Sequence, residues 1–352
     1  MSENKLPFSK STIIQNARFD VYRQHKGDGD MWPLTWAADG NMYGAAGDNQ
    51  DSPMNFWRIE GHPEEREWGP PPYLFLMDNM PLDPKVYCTL PEVHPKWGIK
   101  PASLLSVSGT LYFAVELMNF GDCPDFNRQH NICSWIMTSD NLGKTWDKTA
   151  TPQDFFTGRL ASPHFIQFGK DYADAPDNYI YACFPCAEDG QSYWENGDYI
   201  LLGRVDKELI LSRSDWRFYA NGEWVAEDSA AVPVFSYPRM TGENHVSYNK
   251  YIGRYIMGNY GFTDKNGQPF PYHQTPLWDP ERQFSQLTLF EAENPWGPWS
   301  LFYRDDNWGV SGGYNPSFPT KWMNENSMYM VYSGSMEDYN FTLQKLTFEI
   351  AR

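Results

Sequence analysis

The first and penultimate residues of the segment DMWPLTWAADGNMYGAAGDN (residues 30–49) are Asp30 and Asp48. Between them, two short apolar runs flank an Asp-Gly-Asn turn, a pattern that predicts a β-hairpin with both aspartates at its open end. Two carboxyl groups in one pocket differ in protonation, because repulsion between like charges raises one pKa. Such a pair can hydrolyse a glycosidic bond, since one carboxyl protonates the leaving oxygen and the other activates water or attacks the anomeric carbon.

A hairpin of this kind recurs five times along the chain. Each copy has a polar or proline-containing start, an apolar strand, a Gly/Asn/Asp turn and a Tyr-containing strand, and another strand pair follows. The copies begin at Asp30, Lys100, Ser162, Asn244 and Asn315. Four strands in each repeat of ~60–80 residues are typical of a propeller blade. The sequence therefore predicts an all-β protein, a five-bladed β-propeller with long inter-strand loops, which residues 1–352 form as a single domain.

A propeller brings residues that are far apart in sequence to one mouth. The innermost strand of each blade lies beside the axis, so the residues that precede these strands meet at one face, to which the second strands return. We therefore expect the carboxyl pair Asp30 and Asp48 at this mouth, among side chains that bind substrate or tune the pKa of the pair. The predicted substrate-binding residues are Asp28, Trp32, Glu116, His164, Tyr193, Trp194, Glu243, His245, Tyr260, Trp308, Asn315 and Lys321.

Composition favours a sugar over a polyanion as the partner. Lys and Arg total 28 against 45 Asp and Glu, and the net charge of -17 argues against binding to nucleic acid or to anionic lipid. Aromatic residues make up 17% of the chain, and flat rings at loop ends can stack on sugars. All-β proteins are rich in aromatic residues in any case. The predicted partner is a polysaccharide, with no nucleic acid and no membrane insertion.

Motifs for other chemistries are missing from the sequence. It contains no GxSxG elbow, Walker loop, GxGxxG fingerprint or HExxH. The segment CFPC, with Cys183 and Cys186, is a lone CxxC, for which buried thiols or one local disulfide are expected. The N-terminal MSENKLPFSKSTIIQ has no apolar segment after its charges, so no signal peptide is predicted in this chain. A polysaccharide-degrading function would nevertheless place the protein outside the cell or in the periplasm.

Calcium is an alternative ligand for clustered aspartates at a propeller axis. The loops GDGD and GDNQD are rich in oxygen ligands, but neither has the regular spacing of a known calcium loop. Asp28 and Asp48 could equally cap their own Gly-flanked turns. The sequence thus predicts no cofactor and leaves a structural calcium ion open.

The segment TSDNLGKTW fits the Asp-box pattern, a hairpin of propellers in sugar-processing enzymes. In this pattern Asp140 is expected to bind the amides of the turn, and Trp146 is expected to pack between strands. The motif therefore predicts a structural role for Asp140 and no catalytic one.

Longer stretches of the chain resemble a known family. GDGDMWPLTWAADGNMYGAAGDN, SDNLGKTW, SPHFIQFGKDYADAPDNYIYACF, LLGRVDKELILSRSDWRFYANGEW, NPWGPWSLFYRDDNWG and YNPSFPTKW follow one another in the order seen in proteins with the domain of unknown function 4185. That domain is similar to the endo-D-arabinanases of glycoside hydrolase family 183. The resemblance runs from about Gly27 to Ser335. It implies a five-bladed propeller that cleaves α-linked D-arabinofuranose chains with two aspartates of the first blade, which correspond to Asp30 and Asp48.

Three hypotheses follow. The first is a glycoside hydrolase acting on an arabinofuranose-containing polysaccharide, an endo-D-arabinanase by resemblance. The second is a polysaccharide lyase, in which His164, His245 or Tyr260 would be the base and Lys100 or Arg239 would neutralise a uronate carboxylate. The acidic mouth disfavours such an anionic substrate. The third is a sugar-binding propeller without catalytic activity.

Overall fold

The strands form five antiparallel sheets, and these confirm the predicted all-β, five-bladed propeller. The computed structural model describes residues 7–21, 24–26, 29–47, 54–63, 74–75, 97–119, 129–269, 284–309, 312–334 and 339–351. Each sheet is one blade. The assignment of residues 1–352 to a single domain stays a prediction.

The strands are numbered in chain order, and in each blade they follow one another from the axis outward. Blade 1 contains β3 (Leu34–Trp36), β4 (Met42–Gly47), β5 (Met54–Ile59) and β6 (Leu74–Phe75). Blade 2 contains β7 (Trp97–Val107), β8 (Thr110–Asn119), β9 (His130–Ser139) and β10 (Phe156–Thr157), and β13 (Ser192–Tyr193) pairs with β9. Blade 3 contains β11 (His164–Phe165), β12 (Tyr179–Cys186), β14 (Gly197–Asp206), β15 (Arg217–Ala220) and β16 (Glu223–Val225), and β17 (Phe235–Thr241) pairs with β14.

The last two blades follow the same order. Blade 4 contains β18 (His245–Asn249), β19 (Arg254–Thr263), β20 (Phe284–Ala292) and β21 (Ser300–Asp305). Blade 5 contains β22 (Gly313–Ser317), β23 (Ser327–Gly334), β24 (Phe341–Ile350) and β1 (Ile14–Phe19), and β2 (Gln24–Lys26) pairs with β24. Short 3-10 helices lie at Gly158–Leu160, Lys170–Tyr172, Lys207–Leu209, Arg213–Asp215, Asp228–Ala230 and Thr320–Trp322. Among the described residues, no helix has the length and apolar character needed to cross a membrane.

The inner strands stand side by side around the axis. β7 contacts β3 and β11, and β18 contacts β11 and β22. Short polar side chains join them, since Thr35 Oγ1 accepts from Ser106 N at 3.0 Å and Ser103 Oγ accepts from Phe165 N at 2.8 Å. The five repeats predicted from the sequence are thus the inner hairpins β3–β4, β7–β8, β11–β12, β18–β19 and β22–β23. Their starts lie around one axis, as predicted.

Blade 5 is completed by a strand from the other end of the chain. β1 is its outermost strand and pairs antiparallel with β24, with Ile14 opposite Ile350 and Phe19 opposite Leu346. The same blade contacts blade 1 through a buried cluster that includes Trp32, Trp322 and Phe341. The ring is therefore closed by main-chain hydrogen bonds within blade 5 and by apolar packing between the first and last blades.

A tyrosine–aspartate hydrogen bond recurs in the inner hairpins of blades 1 and 3 and in the turn before β13. The hydroxyl of Tyr43 donates to Asp39 Oδ2 at 3.0 Å, and Tyr181 and Tyr193 each make the same bond at 2.7 Å to an aspartate four residues earlier. In each case the aspartate lies in the turn and also accepts from a main-chain amide two residues later. These side chains fix the turn to the following strand.

We expect Tyr43→Phe to lower the free energy of unfolding by about 1.5 kcal/mol, the low end for a hydrogen bond to a charged group. Burial alone would raise the pKa of Asp39, but hydrogen bonds from Asn41 and Tyr43 bring it below its usual value. A lowered pKa contributes stability above the unfolded pKa and loses it as the pH falls. The difference between wild type and Tyr43→Phe should therefore shrink below about pH 4, as measured by chemical denaturation. Equal stability of the two proteins at pH 7 would contradict this role.

The Asp-box hairpin of blade 2 is structural, but its hydrogen bonds differ from those predicted. Ser139 Oγ accepts from Gly143 N at 2.9 Å and Asn141 Oδ1 accepts from Thr145 N at 2.9 Å. Asp140, expected to bind these amides, instead accepts from the hydroxyl of Thr110. Trp146 packs against the rings of two neighbouring strands as predicted, with centroids 5.1 Å from Phe56 and 5.5 Å from Phe113.

Candidate functional site

Asp30 begins the first hairpin at the mouth of the propeller. Its main chain pairs with Gly47 through two hydrogen bonds of 2.9 Å, Asp30 N to Gly47 O and Gly47 N to Asp30 O. A Cβ at Gly47 would lie 3.0 Å from Asp30 Oδ1 and 3.1 Å from Lys100 Cδ. The glycine therefore leaves room for the lysine to reach the aspartate.

The carboxylate of Asp30 is buried and held by two donors from other blades. Lys100 Nζ, from β7, lies 3.3 Å from Oδ1, and the hydroxyl of Tyr314, from β22, donates to Oδ2 at 3.1 Å. Asp30 is 7% exposed and Lys100 is 3% exposed. A cation and a hydroxyl both favour the ionised form of a carboxyl group. Asp30 is thus suited to act as a base or a nucleophile.

The two residues after Asp30 have unusual backbone angles. Met31 has a φ of 76° and Trp32 a φ of 51°, in the left-handed region that residues other than glycine rarely adopt. Met31 N donates to Ser333 Oγ at 3.1 Å, which holds this conformation against blade 5. Residues in such conformations concentrate at functional sites, because the surrounding structure must hold them there. The strain next to Asp30 supports a functional role for this aspartate.

Two glutamates from different blades lie at the axis beside Asp30 and Lys100. Glu116 on β8 and Glu243, just before β18, are both 0% exposed, and their carboxyl groups are close enough to form a hydrogen bond if one of them is protonated. Burial, and then the charge of Glu243, raise the pKa of Glu116 well above its usual value. Burial likewise raises the pKa of Glu243, although hydrogen bonds from Glu116 and other side chains oppose this. Burial thus favours the protonated form at the glutamates, whereas Lys100 and Tyr314 favour the ionised form at Asp30.

The two predicted histidines lie next to this pair. Ser162 Oγ donates to Glu243 Oε1 at 3.1 Å and lies 2.9 Å from His164 Nε2. The rings of His164 and His245 meet edge to face with centroids 4.9 Å apart. Burial lowers the pKa of His245 to about 4, and burial and then His245 lower the pKa of His164 well below its usual value. Both histidines are therefore neutral at pH 7.

A small cavity that opens to solvent has His245 in its lining. Its polar lining comes from all five blades and includes Thr35, Ser103, Gln167, His245, Ser247 and Ser317. The described residues contain no group of three or more His, Cys, Asp or Glu side chains placed to hold a metal ion.

The structure thus brings six predicted site residues together at the axis. Glu116, Glu243, His164 and His245 form the interior of the site, and Asn315 joins them by donating to Glu243 Oε2 at 3.4 Å. The sixth of these residues is Asp30. Asp28 and Asp48 lie outside the described residues, so the second member of the predicted carboxyl pair stays a prediction.

Four aromatic residues predicted as sugar platforms are buried in the present structure, and this corrects their assignment. Trp32 is 0% exposed and packs against Trp57 and Phe341. Tyr193 is bonded to its turn aspartate, and Trp308 packs on Tyr332. The fourth, Tyr260, is also 0% exposed and donates its hydroxyl to Trp194 O at 2.5 Å. Their ring faces are used in the protein core and are not available to a sugar.

Trp194 is the aromatic candidate that remains partly exposed. Its ring meets Tyr314 edge to face with centroids 5.1 Å apart. Tyr314 donates to Asp30, so Trp194 is one contact away from the carboxylate. This position is compatible with the predicted stacking on a sugar ring.

Two cationic residues that the sequence analysis considered for substrate binding or for a lyase lie away from this mouth. Lys321, predicted to bind substrate, donates to Gly40 O at 2.8 Å in the turn at the opposite end of the first hairpin from Asp30, so that assignment is wrong. Arg239, considered for a lyase, donates to Pro269 O at 2.7 Å. Lys100, by contrast, reaches the site, with Nζ 3.3 Å from Asp30 Oδ1.

Several residues of the site were not among the predicted site residues. Lys100 and Ser162 begin two of the repeats and Tyr314 precedes Asn315 in GGYN, so the repeat pattern contained a signal for them. Asn131 on β9 donates to Glu243 Oε1 at 3.2 Å. It belongs to the third strand of its blade, whereas the sequence analysis placed only the starts of first strands and the ends of second strands at the mouth.

A family model described as domain of unknown function (DUF4185) matches residues 89–345 of the chain. No curated protein matches the sequence. Among solved structures, a GH43_1 enzyme from Xanthomonas citri is 12% identical, with a TM-score of 0.51 and coverage of 92% of this chain and 90% of that one. The same enzyme complexed with xylotriose has a TM-score of 0.52, with the same identity and coverage.

A mutant of the GH43 protein BlXynB from Bacillus licheniformis is 10% identical, with a TM-score of 0.51. The likeness covers 96% of this chain and 55% of that one. At these identities the likeness to both proteins shows a shared propeller fold. The function must be argued from the site itself.

Proposed function

This chain belongs to the family described as domain of unknown function (DUF4185), and on that premise we propose that it is a glycoside hydrolase acting on arabinofuranose-containing polysaccharide, as an endo-D-arabinanase. The observation that carries the proposal is the buried carboxylate of Asp30, held by Lys100 and Tyr314 at the mouth of the propeller. The raised pKa of Glu116 adds a carboxyl group that favours its protonated form nearby.

In the proposed reaction, Asp30 is the ionised carboxylate and Asp48 is the acid. Lys100 and Tyr314 favour the charged form of Asp30, which suits it to activate water or to attack the anomeric carbon. Asp48 follows Gly47 in the sequence, and Gly47 pairs with Asp30 through two main-chain hydrogen bonds. This neighbourhood supports Asp48 as the group that protonates the leaving oxygen.

Three observations support a neutral glycan as the substrate. The chain carries a net charge of -17, which disfavours polyanions. Trp194 offers a partly exposed indole near Asp30, and such rings pack on the C–H faces of sugars. A protein of the same fold has been crystallised with xylotriose. A polysaccharide substrate also leads us to propose a secreted or periplasmic location.

The lyase hypothesis has less support from the geometry. Its predicted bases are buried beneath the mouth, since His164 is 0% and His245 is 8% exposed. Of its two predicted cations, Arg239 is bound elsewhere and Lys100 is engaged by Asp30. A uronate would have to displace Asp30 from the lysine.

The test is a panel of D-arabinan, L-arabinan and uronate polymers. We expect new reducing ends from D-arabinan, seen as a ladder of oligosaccharides because an endo-acting enzyme cuts within the chain. Unsaturated products that absorb in the ultraviolet would replace the proposal with the lyase. Binding to a glycan without any product would replace it with a non-catalytic propeller.

A further inference from the structure

The hydrogen bonds around the two axial glutamates are distributed unequally. Glu243 accepts from Asn131 and Ser162 on Oε1 and from Asn315 on Oε2. Among the described residues, no donor is matched to either oxygen of Glu116. Ser162 Oγ lies 3.1 Å from Glu243 Oε1 and is also near Glu116, so its one proton can serve only one of the two carboxyl groups. The other group that Glu116 faces is the carboxyl of Glu243.

Two carboxyl groups can be hydrogen-bonded only if one of them carries a proton. An ionised carboxylate needs donors, and a buried one without donors is strongly destabilised. Glu243 has three donors besides Glu116, whereas Glu116 needs none if it is itself a donor. The donor count therefore places the charge on Glu243 and the proton on Glu116.

We propose that Glu116 is a neutral acid that donates to an ionised Glu243, and that this arrangement reserves Lys100 for Asp30. Glu116 lies directly opposite Lys100 in the pairing of β7 with β8. Side chains opposite each other in an antiparallel pair have Cβ atoms ~4.5–5.5 Å apart. A neutral Glu116 does not compete for the ammonium group, which lies 3.3 Å from Asp30 Oδ1.

Glu116 and Glu243 are therefore positioning residues for the proposed hydrolysis, and this part of the inference rests on the proposed function. If Glu116 lost its proton, Lys100 would lie between two carboxylates, and Asp30 would lose part of its counter-charge. In the part of the chain that the structure describes, the titratable and charged groups around the pair are Asp30, Lys100, His164, His245, Tyr260 and Tyr314. Both histidines are held neutral by burial, so they do not supply the missing charge near pH 7.

The first test measures stability and needs no substrate. A buried acid that stays protonated makes the folded state take up a proton above the usual pKa of Glu, so wild type loses stability as the pH rises. Glu116→Gln keeps the donor to Glu243 without a titrating proton. We expect its folding equilibrium constant to gain on that of wild type by up to tenfold per pH unit between pH 5 and 8. Parallel stability curves for the two proteins would overturn the proposal.

The matched variant is Glu243→Gln, which also removes one carboxyl group. Its amide gives Glu116 one donor in place of the three that Glu243 has, so burial still makes Glu116 take up a proton above the usual pKa of Glu. Once Glu116 ionises, it draws Lys100 away from Asp30. We expect a smaller gain in stability with pH than for Glu116→Gln, and a lower kcat at pH 7 with KM little changed. The reverse order, with the larger pH-dependent gain in Glu243→Gln, would place the proton on Glu243 and overturn the assignment.

The second test uses the pH profile of kcat on the glycan that the panel identifies. Wild-type kcat should fall on the alkaline side of the profile as Glu116 ionises, and in Glu116→Gln this fall should occur at higher pH. If a folded Glu116→Gln loses activity at the same alkaline pH as wild type, the positioning role is overturned. If no glycan is hydrolysed, the proposed function fails, whereas the proton assignment still stands or falls by the stability curves.

Discussion

Asp30→Asn should slow turnover by about 10²–10⁴-fold, the range for removal of a positioned acid or base, with little change in KM. The amide has nearly the same shape as the carboxylate. Its oxygen can accept from Lys100 and its NH₂ group can donate to the oxygen of Tyr314, so the contacts of 3.3 and 3.1 Å need not be lost. What it lacks is the charge that activates water or attacks the anomeric carbon. Single-turnover kinetics on the hydrolysed glycan would separate this step from binding.

The control for this variant is Asp140→Asn. Asp140 is an exposed aspartate whose described partner is the hydroxyl of Thr110. It lies at the end of blade 2 opposite Lys100 and Glu116, because β9 ends there beside the β7–β8 turn. We expect wild-type kcat from it. Full activity in a folded Asp30→Asn would remove Asp30 from the mechanism.

Lys100→Met should lower the free energy of unfolding by about 3–5 kcal/mol at pH 7, the range for a buried ion pair that loses one partner. The methionine fills much of the space of the lysine but leaves the charge of Asp30 buried without the ammonium group, with side-chain exposures of 4% for Lys100 and 10% for Asp30. The loss should diminish as the pH falls, because protonation of Asp30 removes the charge that the ammonium group had balanced. Denaturant titration at pH 4 and pH 7 would measure both effects.

The double variant Lys100→Met with Asp30→Asn distinguishes charge from packing. With neither charge present, most of the lost stability should return, while the protein stays inactive. If the double variant is as unstable as Lys100→Met alone, the lysine stabilises the fold through packing of its stem and not through its charge.

The strand pattern predicted where the site would be more accurately than which side chains would form it. Asp30, His164 and Asn315 meet because each lies at or near the start of an inner hairpin, and that position follows from alternation and turn residues in the sequence. The exposure of a ring does not follow in this way. Trp32 and Trp194 both stand near mouth residues, yet one is sealed between blades 1 and 5 and the other is partly exposed.

The protonation of the glutamates could not be predicted from the sequence either. Glu116 and Glu243 look alike as residues at strand ends, and their difference comes from the donors Asn131, Ser162 and Asn315, which belong to three blades. Lys321 shows the same limit, because its place in the repeat did not reveal on which face it would lie. Local sequence specifies hairpins, whereas charge states depend on contacts between blades.

Because β1 pairs with β24, blade 5 can be completed only when nearly the whole chain has been synthesised. β1 emerges among the first residues of the described chain, but its partner strand ends at Ile350. Blade 5 also supplies Tyr314 and Asn315 to the axis. A nascent chain that stops after blade 4 therefore has an open ring, an unpartnered β1 and a carboxylate at Asp30 without its tyrosine. We therefore expect activity to appear during synthesis only once the ring has closed. The blades that fold earlier should have no activity by themselves.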